Sequence, residues 1–419
     1  MLGITRESIL LQLRSIHFPR SFPADIMHCV LQNVTPTLFT IWNRTKLDID
    51  HGAVDRIEEH YLSPEKLDII SSALVQSRKD VPSFLGHAPR SIKQHYKGYK
   101  AAEWKAWLLF YGSPLLDQNM GDEYVDNFRL LGQFYRLATR HSLGHADICR
   151  IQQIAIKFVQ GYERLYYHGD PKRLPVCTIN THYLLHFADY IRDCGPACYW
   201  WQFPMERYCG IIKPQARSKS QLNTSLNNAV VMCEHFNHIR FTSFRHTSHN
   251  AMVESFPALK DCIHSSLSTT QQRSLFYFIG QEVETHCYKR CQLRQDCQVG
   301  SIKSQRRADI NRNDHRICYR RPGSTINFGE VQFFVDTGEY GQLAWVSTCE
   351  DLDLDREKNI ASFIRLGRHE WIRVEWILSL FGILHEPGSR VQLIITDVDI
   401  FNCKWHTQPP PRSQTAFIT

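Results

Sequence analysis

The chain has helical hydrophobic spacing over most of its length and strand-like spacing near its C-terminal end. Apolar residues recur every three or four positions through residues 100–167, which predicts amphipathic helices around a shared core. Two helices are predicted within residues 1–45, and further helices over residues 178–193, 205–214, 220–240 and 269–290. Strands are predicted where β-branched and aromatic residues concentrate, over residues 331–335, 343–346 and 391–395. The predicted fold is therefore mainly α, with a small β-rich C-terminal domain.

Composition narrows the class of protein. The 419 residues suffice for two or three domains, and 43% of them are hydrophobic, which is enough to build real cores. No apolar run reaches the length of a membrane span, and no signature of an NTPase, a serine hydrolase or a nicotinamide enzyme occurs. Neither a membrane nor a small-molecule substrate is therefore expected. The 14 cysteines are scattered, which favours a reducing compartment with most of them as buried thiols.

Positive charge is unevenly distributed along the chain. The net charge of +7 is compatible with a polyanionic partner, although many proteins of this charge never bind one. Between Lys289 and Arg321, ten Lys or Arg residues face three acidic residues, and apolar residues are sparse. This stretch, which includes Arg306 and Arg307, is predicted to be a basic arm that contacts DNA phosphates without reading sequence. The spacing of Cys287, Cys291 and Cys297 does not match a common zinc signature.

Two short motifs offer metal-ligand side chains. His182 and His186 are four residues apart on a predicted helix, so both point to one side of it. Asp25 and His28 are three apart at the start of another predicted helix, and Cys29 beside them is a substitute ligand. Together the two pairs would supply four ligands to one zinc ion. The competing interpretation is that they are ordinary polar residues that cap and bridge helices.

Glu206 is the candidate for catalysis. It follows an aromatic, proline-containing entry into a predicted helix, where a glutamate more commonly serves only to complement the helix dipole. As a metal-binding acid it needs partner carboxylates, because two-metal phosphoryl transfer uses several acidic ligands. Lys213, Arg217 and Lys219 follow it and suit a phosphate backbone.

Several of these motifs occur in an order that resembles transposases of the CACTA (En/Spm) superfamily, in the form found in fungal genomes. The similarity runs from about residue 3 to residue 401. The matching segments are residues 15–28, 99–104, 180–186, 195–196, 203–213 and 328–346.

The resemblance implies an RNase H-like catalytic domain, interrupted by a helical insertion, that cleaves and transfers DNA strands with two divalent ions, Mg²⁺ or Mn²⁺. Glu206 matches the last of the family's three catalytic acids. His182 and His186 lie where the related recombinases that rearrange immune-receptor genes place a zinc-binding histidine pair. The resemblance also implies a nuclear protein that binds DNA and self-associates.

The two catalytic aspartates of the family have no match in this sequence and are expected upstream of residue 1. The chain is therefore expected to be the C-terminal half of a transposase, a remnant or fragment that is catalytically incomplete. The predicted segments are part of a truncated RNase H-like core over residues 1–240 with the insertion at about 46–176, a helical extension over 241–288, a basic linker over 289–322, the β-rich domain over 323–402 and a loose tail over 403–419. The alternative function is a non-catalytic interaction scaffold with a β-rich binding module.

Overall fold

The chain forms two compact units with different secondary structure. The computed structural model describes residues 8–44, 60–86, 89–215, 220–247, 257–263, 266–294, 297–302, 314–355, 360–385 and 390–396. One unit comprises residues 1–75 and 89–255, and the other comprises residues 76–88 and 256–419. Every described strand lies in the second unit, so a mainly α protein with a β-rich C-terminal region is confirmed. Within the described part of the chain, no helix is both long enough and apolar enough to cross a membrane.

The described residues of the first unit are helical. Its α-helices are α1 (Thr35–Trp42), α2 (Pro64–Gln76, whose last residue belongs to the second unit), α3 (Ile92–His95), α4 (Ala101–Ala106), α5 (Gly112–Leu116), α6 (Asp122–Ala138), α7 (His145–Tyr162), α8 (Ile179–Tyr183), α9 (Phe187–Cys194), α10 (Phe203–Ile212) and α11 (Leu222–Thr247). Three π-helical segments lie at Met27–Val34, Trp107–Tyr111 and Glu163–Tyr167. Short 3-10 turns lie at Ile9–Gln12, Tyr96–Gly98, Pro171–Val176, Leu184–His186, Ala197–Tyr199 and Lys213–Gln215. The helix predicted near the N-terminus is therefore a single turn within residues 8–17, whereas the other predicted helices of this unit are confirmed.

A buried aromatic group organises the core of the first unit. The Trp42 indole N–H donates to the Tyr166 hydroxyl at 3.0 Å, and its ring meets Phe128 edge-on. Helices α6 and α7 pack closely because Gly161 has no side chain where the Asn127 amide approaches and donates to the Phe158 carbonyl at 3.0 Å. The apolar stripes predicted over residues 100–167 are thus core positions.

The second unit is built on an eleven-stranded antiparallel sheet. Its strands are β1 (Ala258–Ile263), β2 (His286–Arg294), β3 (Cys297–Val299), β4 (Arg316–Arg320), β5 (Ile326–Asp336), β6 (Gln342–Glu350), β7 (Asp353–Asp355), β8 (Ile360–Phe363), β9 (Arg365–Arg373), β10 (Ile377–His385) and β11 (Gln392–Thr396). Their order is β1-β2-β5-β4-β10-β11-β8-β7, with β3 on β2 and with β6 between β5 and β9. Helix α12 (Thr269–Ile279) and 3-10 turns at Ser77–Lys79, Ser83–Leu85, Gly338–Tyr340 and Val374–Trp376 complete it.

The β region begins earlier than the predicted boundary at residue 323, and three predictions need correction. The helix predicted over residues 269–290 ends at Ile279, and residues 286–290 lie in β2. Within the predicted helical extension 241–288, residues 258–263 form β1 and pair with β2. Within the predicted linker 289–322, the described residues contribute to β2, β3 and β4. A few apolar side chains suffice in β2 and β3, because a strand with one buried face needs them only on that face. Within this stretch their buried apolar residues are Cys291, Cys297 and Val299, whereas β4 is buried on both faces through Ile317, Cys318 and Tyr319. The predicted tail 403–419 lies outside the described residues.

Residues 76–86 pack on the sheet of the second unit through charged side chains. The Asp80 carboxylate accepts from Arg316 Nη1 at 2.7 Å and lies 2.5 Å from His385 Nε2. Arg316 Nε also donates to Glu330 at 2.8 Å, so one guanidinium joins two carboxylates. The backbone of this segment also bonds to the sheet, because the Ile383 N–H donates to the Asp80 carbonyl at 3.0 Å. This segment, whose partners Arg316, Ile383 and His385 lie more than two hundred residues later in the chain, is thereby part of the unit of the sheet.

We expect the stability of the second unit to fall in acid. Burial alone would raise the pKa of the Asp80 carboxyl, but the His385 hydrogen bond and the Arg316 charge outweigh burial and hold that pKa well below its usual range. His315 and Arg316 likewise lower the pKa of Glu330 against the effect of burial. A carboxyl with a depressed folded-state pKa stabilises the fold above its unfolded pKa of about 4, and that contribution disappears as the pH falls further. The free energy of unfolding, measured with urea between pH 7 and pH 3, should be constant down to about pH 5 and should decrease below about pH 4. The decline should be shallower in Asp80→Asn; an equally steep decline would contradict the assignment.

Candidate functional site

Asp25 joins the starts of two helices in the first unit. Its Oδ2 accepts from the His28 backbone N–H at 2.9 Å and lies 2.6 Å from His28 Nδ1. Its Oδ1 accepts from the Gln202 backbone N–H at 2.9 Å. Free N–H groups at a helix start need such acceptors, and a carboxylate there also complements the helix dipole. The Asp25 side chain is only 13% exposed, and both its oxygens are occupied by these donors.

The same arrangement brings His28 to Glu206. Helix α10 starts immediately after Gln202, with Pro204 in its first turn, and Glu206 follows in that turn. The His28 Nε2 atom lies 3.4 Å from Glu206 Oε1, and the Glu206 side chain is 55% exposed. His28 therefore has one ring nitrogen on Asp25 and the other towards Glu206. Asp25, His28 and Glu206 form a row that begins at a capped helix and ends at a solvent-facing carboxylate.

Burial and the Asp25 charge together disfavour ionisation of two neighbouring groups, the Cys29 thiol and the Tyr135 hydroxyl. Burial raises the pKa of the Cys29 thiol to about 12, and the nearby Asp25 charge contributes. The thiol donates to the Asn180 carbonyl at 3.2 Å, which ties the Met27–Val34 helix to α8. Burial and then the Asp25 charge also raise the pKa of Tyr135. Cys29 thus acts as a buried hydrogen-bond donor, and among the described residues it does not belong to any group of three or more metal-ligand side chains.

The histidine pair faces a common point. The Nε2 atoms of His182 and His186 are 3.1 Å apart, across the junction between α8 and the following 3-10 turn. This is a hydrogen-bond distance between the two rings, and it is also close to the roughly 3.3 Å between two nitrogens bound to one tetrahedral zinc ion at about 2.0–2.1 Å. In the described part of the chain, however, His, Cys, Asp and Glu do not form any group of three or more suited to a metal. The predicted four-ligand set of Asp25, His28, His182 and His186 is therefore not assembled around one point.

The predicted DNA-contacting residues have different outcomes. Lys213 is exposed at the end of α10. Four others, Arg217, Lys219, Arg306 and Arg307, lie outside the described residues. Several described cations of the predicted basic arm contact acids in the second unit, which reduces their availability to phosphate. These contacts are Arg290 with Asp261, Arg316 with Asp80 and Glu330, and Arg321 with Glu370.

The cysteines of the same stretch have a structural role. Cys287, Cys291 and Cys297 are all buried among apolar side chains of the sheet. Burial raises the pKa of Cys291 to about 12, with Cys297 contributing. All thirteen cysteines of the described residues are free thiols, and six of them are buried. The expectation that most cysteines are buried thiols is therefore wrong for the described part of the chain.

Sequence reasoning missed two backbone partners of the site. The Gln202 amide, which donates to Asp25, sits at the residue before α10. Pro204 in the first turn of a helix marks such a start, so a free N–H near position 202 was foreseeable, although its acceptor was not. The Asn180 carbonyl, which accepts from Cys29, has no sequence signal.

Comparison with known proteins gives no further identification. No protein-family model, no curated protein and no solved structure matches this chain.

Proposed function

We propose that this protein derives from a DDE-type transposase of the CACTA (En/Spm) superfamily, and that it binds DNA in the nucleus without cutting it. The observation that supports this most is the meeting of two motifs of the resemblance that are far apart in sequence. Asp25 and His28 of the first motif contact Gln202 and Glu206 of the second. The resemblance implies that these two motifs lie together, and the contacts supply that proximity. On this proposal residues 1–240 belong to an RNase H-like core with its helical insertion.

The chemistry of the residues argues for binding without cleavage. Two-metal strand cleavage requires several carboxylates with oxygens free for the ions. Both Asp25 oxygens accept hydrogen bonds from the starts of two helices, so Asp25 acts as a scaffold for the site. Glu206 is solvent-facing and is a suitable acid, but one carboxylate does not hold two divalent ions. The described residues therefore do not fit a two-metal centre, and we assign them no cleavage step.

DNA binding is expected to depend on phosphate contacts. Arg207 is exposed on α10, the helix of Glu206, and Lys213 is exposed directly after the last residue of that helix. Each phosphate contact releases counterions, so the logarithm of the binding constant falls by roughly 0.9 per contact for each unit of log salt. Binding to duplex DNA of arbitrary sequence should therefore weaken steeply between low and moderate salt.

The first test combines a salt series with a nicking assay. Duplex binding should show a steep salt dependence, and Lys213→Ala should reduce the magnitude of the slope by about 1. The matched control is Lys157→Ala, which removes an exposed lysine on α7 and should leave the slope unchanged. Supercoiled plasmid with Mg²⁺ or Mn²⁺ should stay intact. Divalent-dependent nicking that disappears in Glu206→Gln would contradict the non-cleaving part of the proposal.

Structural zinc at His182 and His186 is part of the same proposal. The two nitrogens lie close to the separation of two zinc ligands, and the ion would hold α8 against the turn that follows it. Because the described residues do not add a third ligand, the ion would complete its coordination with water or with residues beyond them. Metal analysis of the purified chain should give close to one zinc per chain, and His182→Ala should lose it. A zinc content near zero in the unmutated chain rejects the site and leaves the DNA proposal standing.

One observation favours the second candidate, a non-catalytic interaction scaffold. Acids contact three of the six described cations of the predicted basic arm, namely Arg290, Arg316 and Arg321. On this alternative the sheet of the second unit binds a protein partner, and duplex DNA affinity is weak at every salt concentration. The salt series separates the two candidates directly.

A further inference from the structure

The residues at the start of helix α2 have the sequence of a phosphorylation site. Ser63, Pro64, Glu65 and Lys66 form a Ser-Pro-x-Lys motif. Proline-directed protein kinases modify a serine that precedes a proline, and they favour a basic residue three positions after the serine. Proline suits the position after the serine because it has no backbone N–H that the kinase would have to satisfy. Short motifs also occur by chance, so the structural context of each copy decides between them.

Three serines or threonines of the chain precede a proline, and the structure separates them. Thr35 is 0% exposed. Ser113 lies within α5 and has Leu116 where the motif requires a basic residue. Ser63 is half-buried and lies directly before the first residue of α2. Of the three, Ser63 therefore combines the full motif with a position at the surface.

The segment around Ser63 is held by weak contacts. The Ser63 hydroxyl oxygen accepts from the Lys66 backbone N–H at 3.3 Å, which is long for a hydrogen bond. The hydroxyl donates to the exposed Glu65 carboxylate, and this bond lowers the pKa of that carboxyl. Pro64 and Glu65 are exposed, and the first buried residue of the helix is Leu67. The first turn can therefore open to enter a kinase without moving a buried apolar side chain.

A phosphate on Ser63 would meet positive charge. The first N–H groups of a helix lack partners within the helix, and the helix dipole also favours an anion there. The Lys93 ammonium lies beside the first turn, 3.2 Å from the Pro64 carbonyl and 2.6 Å from Asp68. The Lys93 backbone N–H donates to the Ser71 hydroxyl at 3.1 Å, which fixes this lysine on the same helix. Glu65 and Asp68 oppose a phosphate, but both are exposed and can turn into solvent.

We propose that Ser63 is a phosphorylation site for a proline-directed kinase and that the phosphate stabilises the start of α2. The Ser63 hydroxyl oxygen bonds to the γ-phosphorus of ATP as the bond from that phosphorus to the oxygen of ADP breaks. The hydroxyl proton passes to the catalytic aspartate of the kinase. The product carries a charge of about −1.5 to −2 at pH 7, at the positive end of α2. The inference does not rest on DNA binding, so its outcome is independent of the salt series.

Incubation of the full chain with ATP and a purified cyclin-dependent kinase tests the site. Intact-mass measurement should show one added phosphate, and peptide mapping should place it on Ser63. Ser63→Ala should lose the phosphate, Ser63→Thr should retain it, and Lys66→Gln should acquire it more slowly. Ser113→Ala is the matched control, because it removes a serine before proline that lacks the basic residue, and it should be modified like the unmutated chain.

Hydrogen exchange measures the effect of the phosphate on α2. The Lys66 and Leu67 amides should exchange about two- to fivefold more slowly in the phosphorylated chain, because an anion at a helix start stabilises the first turn. Lys93→Gln should reduce this protection. Three results would overturn the inference. They are a folded chain that stays unmodified when a synthetic peptide of residues 60–70 is phosphorylated, equal incorporation in Ser63→Ala, and exchange that is unchanged or faster after phosphorylation.

Discussion

Replacing Arg316 by alanine should destabilise the second unit by about 3–5 kcal/mol, because it removes a guanidinium shared by two largely buried carboxylates. The Arg316 side chain is 11% exposed and bonds to Asp80 at 2.7 Å and to Glu330 at 2.8 Å. Without it, both carboxylates keep their desolvation cost and lose the main charge that offsets it. His385 and His315 remain beside them and moderate the loss.

Urea unfolding of the full chain measures this effect, with Arg368→Ala as the matched control. Arg368 is an exposed arginine on β9 of the same sheet, so its removal should cost less than about 0.5 kcal/mol. A cost for Arg316→Ala as small as that of Arg368→Ala would show that the cluster contributes nothing to stability. The stability loss in Arg316→Lys should lie between the losses in Arg316→Ala and Arg368→Ala, because an ammonium keeps the charge but cannot bond to both carboxylates as the planar guanidinium does.

The charged cluster of Asp80, Arg316, Glu330 and His385 shows why part of the fold was not predictable from the sequence. The helices and the strands at 331–335 and 343–346 follow local spacing, which a sequence displays directly. The position of residues 76–86 depends on Asp80 meeting Arg316 and His385, which are remote in the chain. Strand β1 likewise exists because Ala258–Ile263 finds β2, and its own residues have no strong strand pattern. The β-rich domain was predicted to begin at residue 323, too late in the chain, because strands such as β1 form only through pairing with distant residues.

In the candidate site, too, the local contacts were predictable from the sequence and the contacts between distant residues were not. The sequence placed Asp25 at the start of a predicted helix, and the Asp25 bond to the His28 amide confirms this local part. The proximity of His28 to Glu206 could not follow from spacing, and only the family resemblance connected the two motifs. The four-ligand zinc prediction assumed that two ligand pairs on neighbouring helices share one point. The hydrogen bonds of Asp25 to backbone amides use the oxygens that such a site would need.

Replacing Asp25 by alanine should destabilise the first unit by about 2–4 kcal/mol. The substitution removes the acceptor for two backbone N–H groups, at His28 and Gln202, and the partner of the His28 ring. Loss of a helix cap costs about 1 kcal/mol, and a buried amide left without an acceptor costs roughly 1–3 kcal/mol. The two losses add because they lie at different helix starts.

Asp25→Asn and Asp189→Ala make the test specific. Asparagine keeps a side-chain acceptor for a helix start but loses the negative charge beside the His28 ring, so about half of the cost should remain. Asp189 is an exposed acid paired with Arg192 on α9, and its removal should cost less than about 0.5 kcal/mol. Hydrogen exchange adds a local measurement, because the Gln202 amide should exchange faster in Asp25→Ala. If that amide keeps its protection while the protein loses stability, the link between Asp25 and the start of α10 is wrong. The position of Glu206 must then depend on other contacts of that helix.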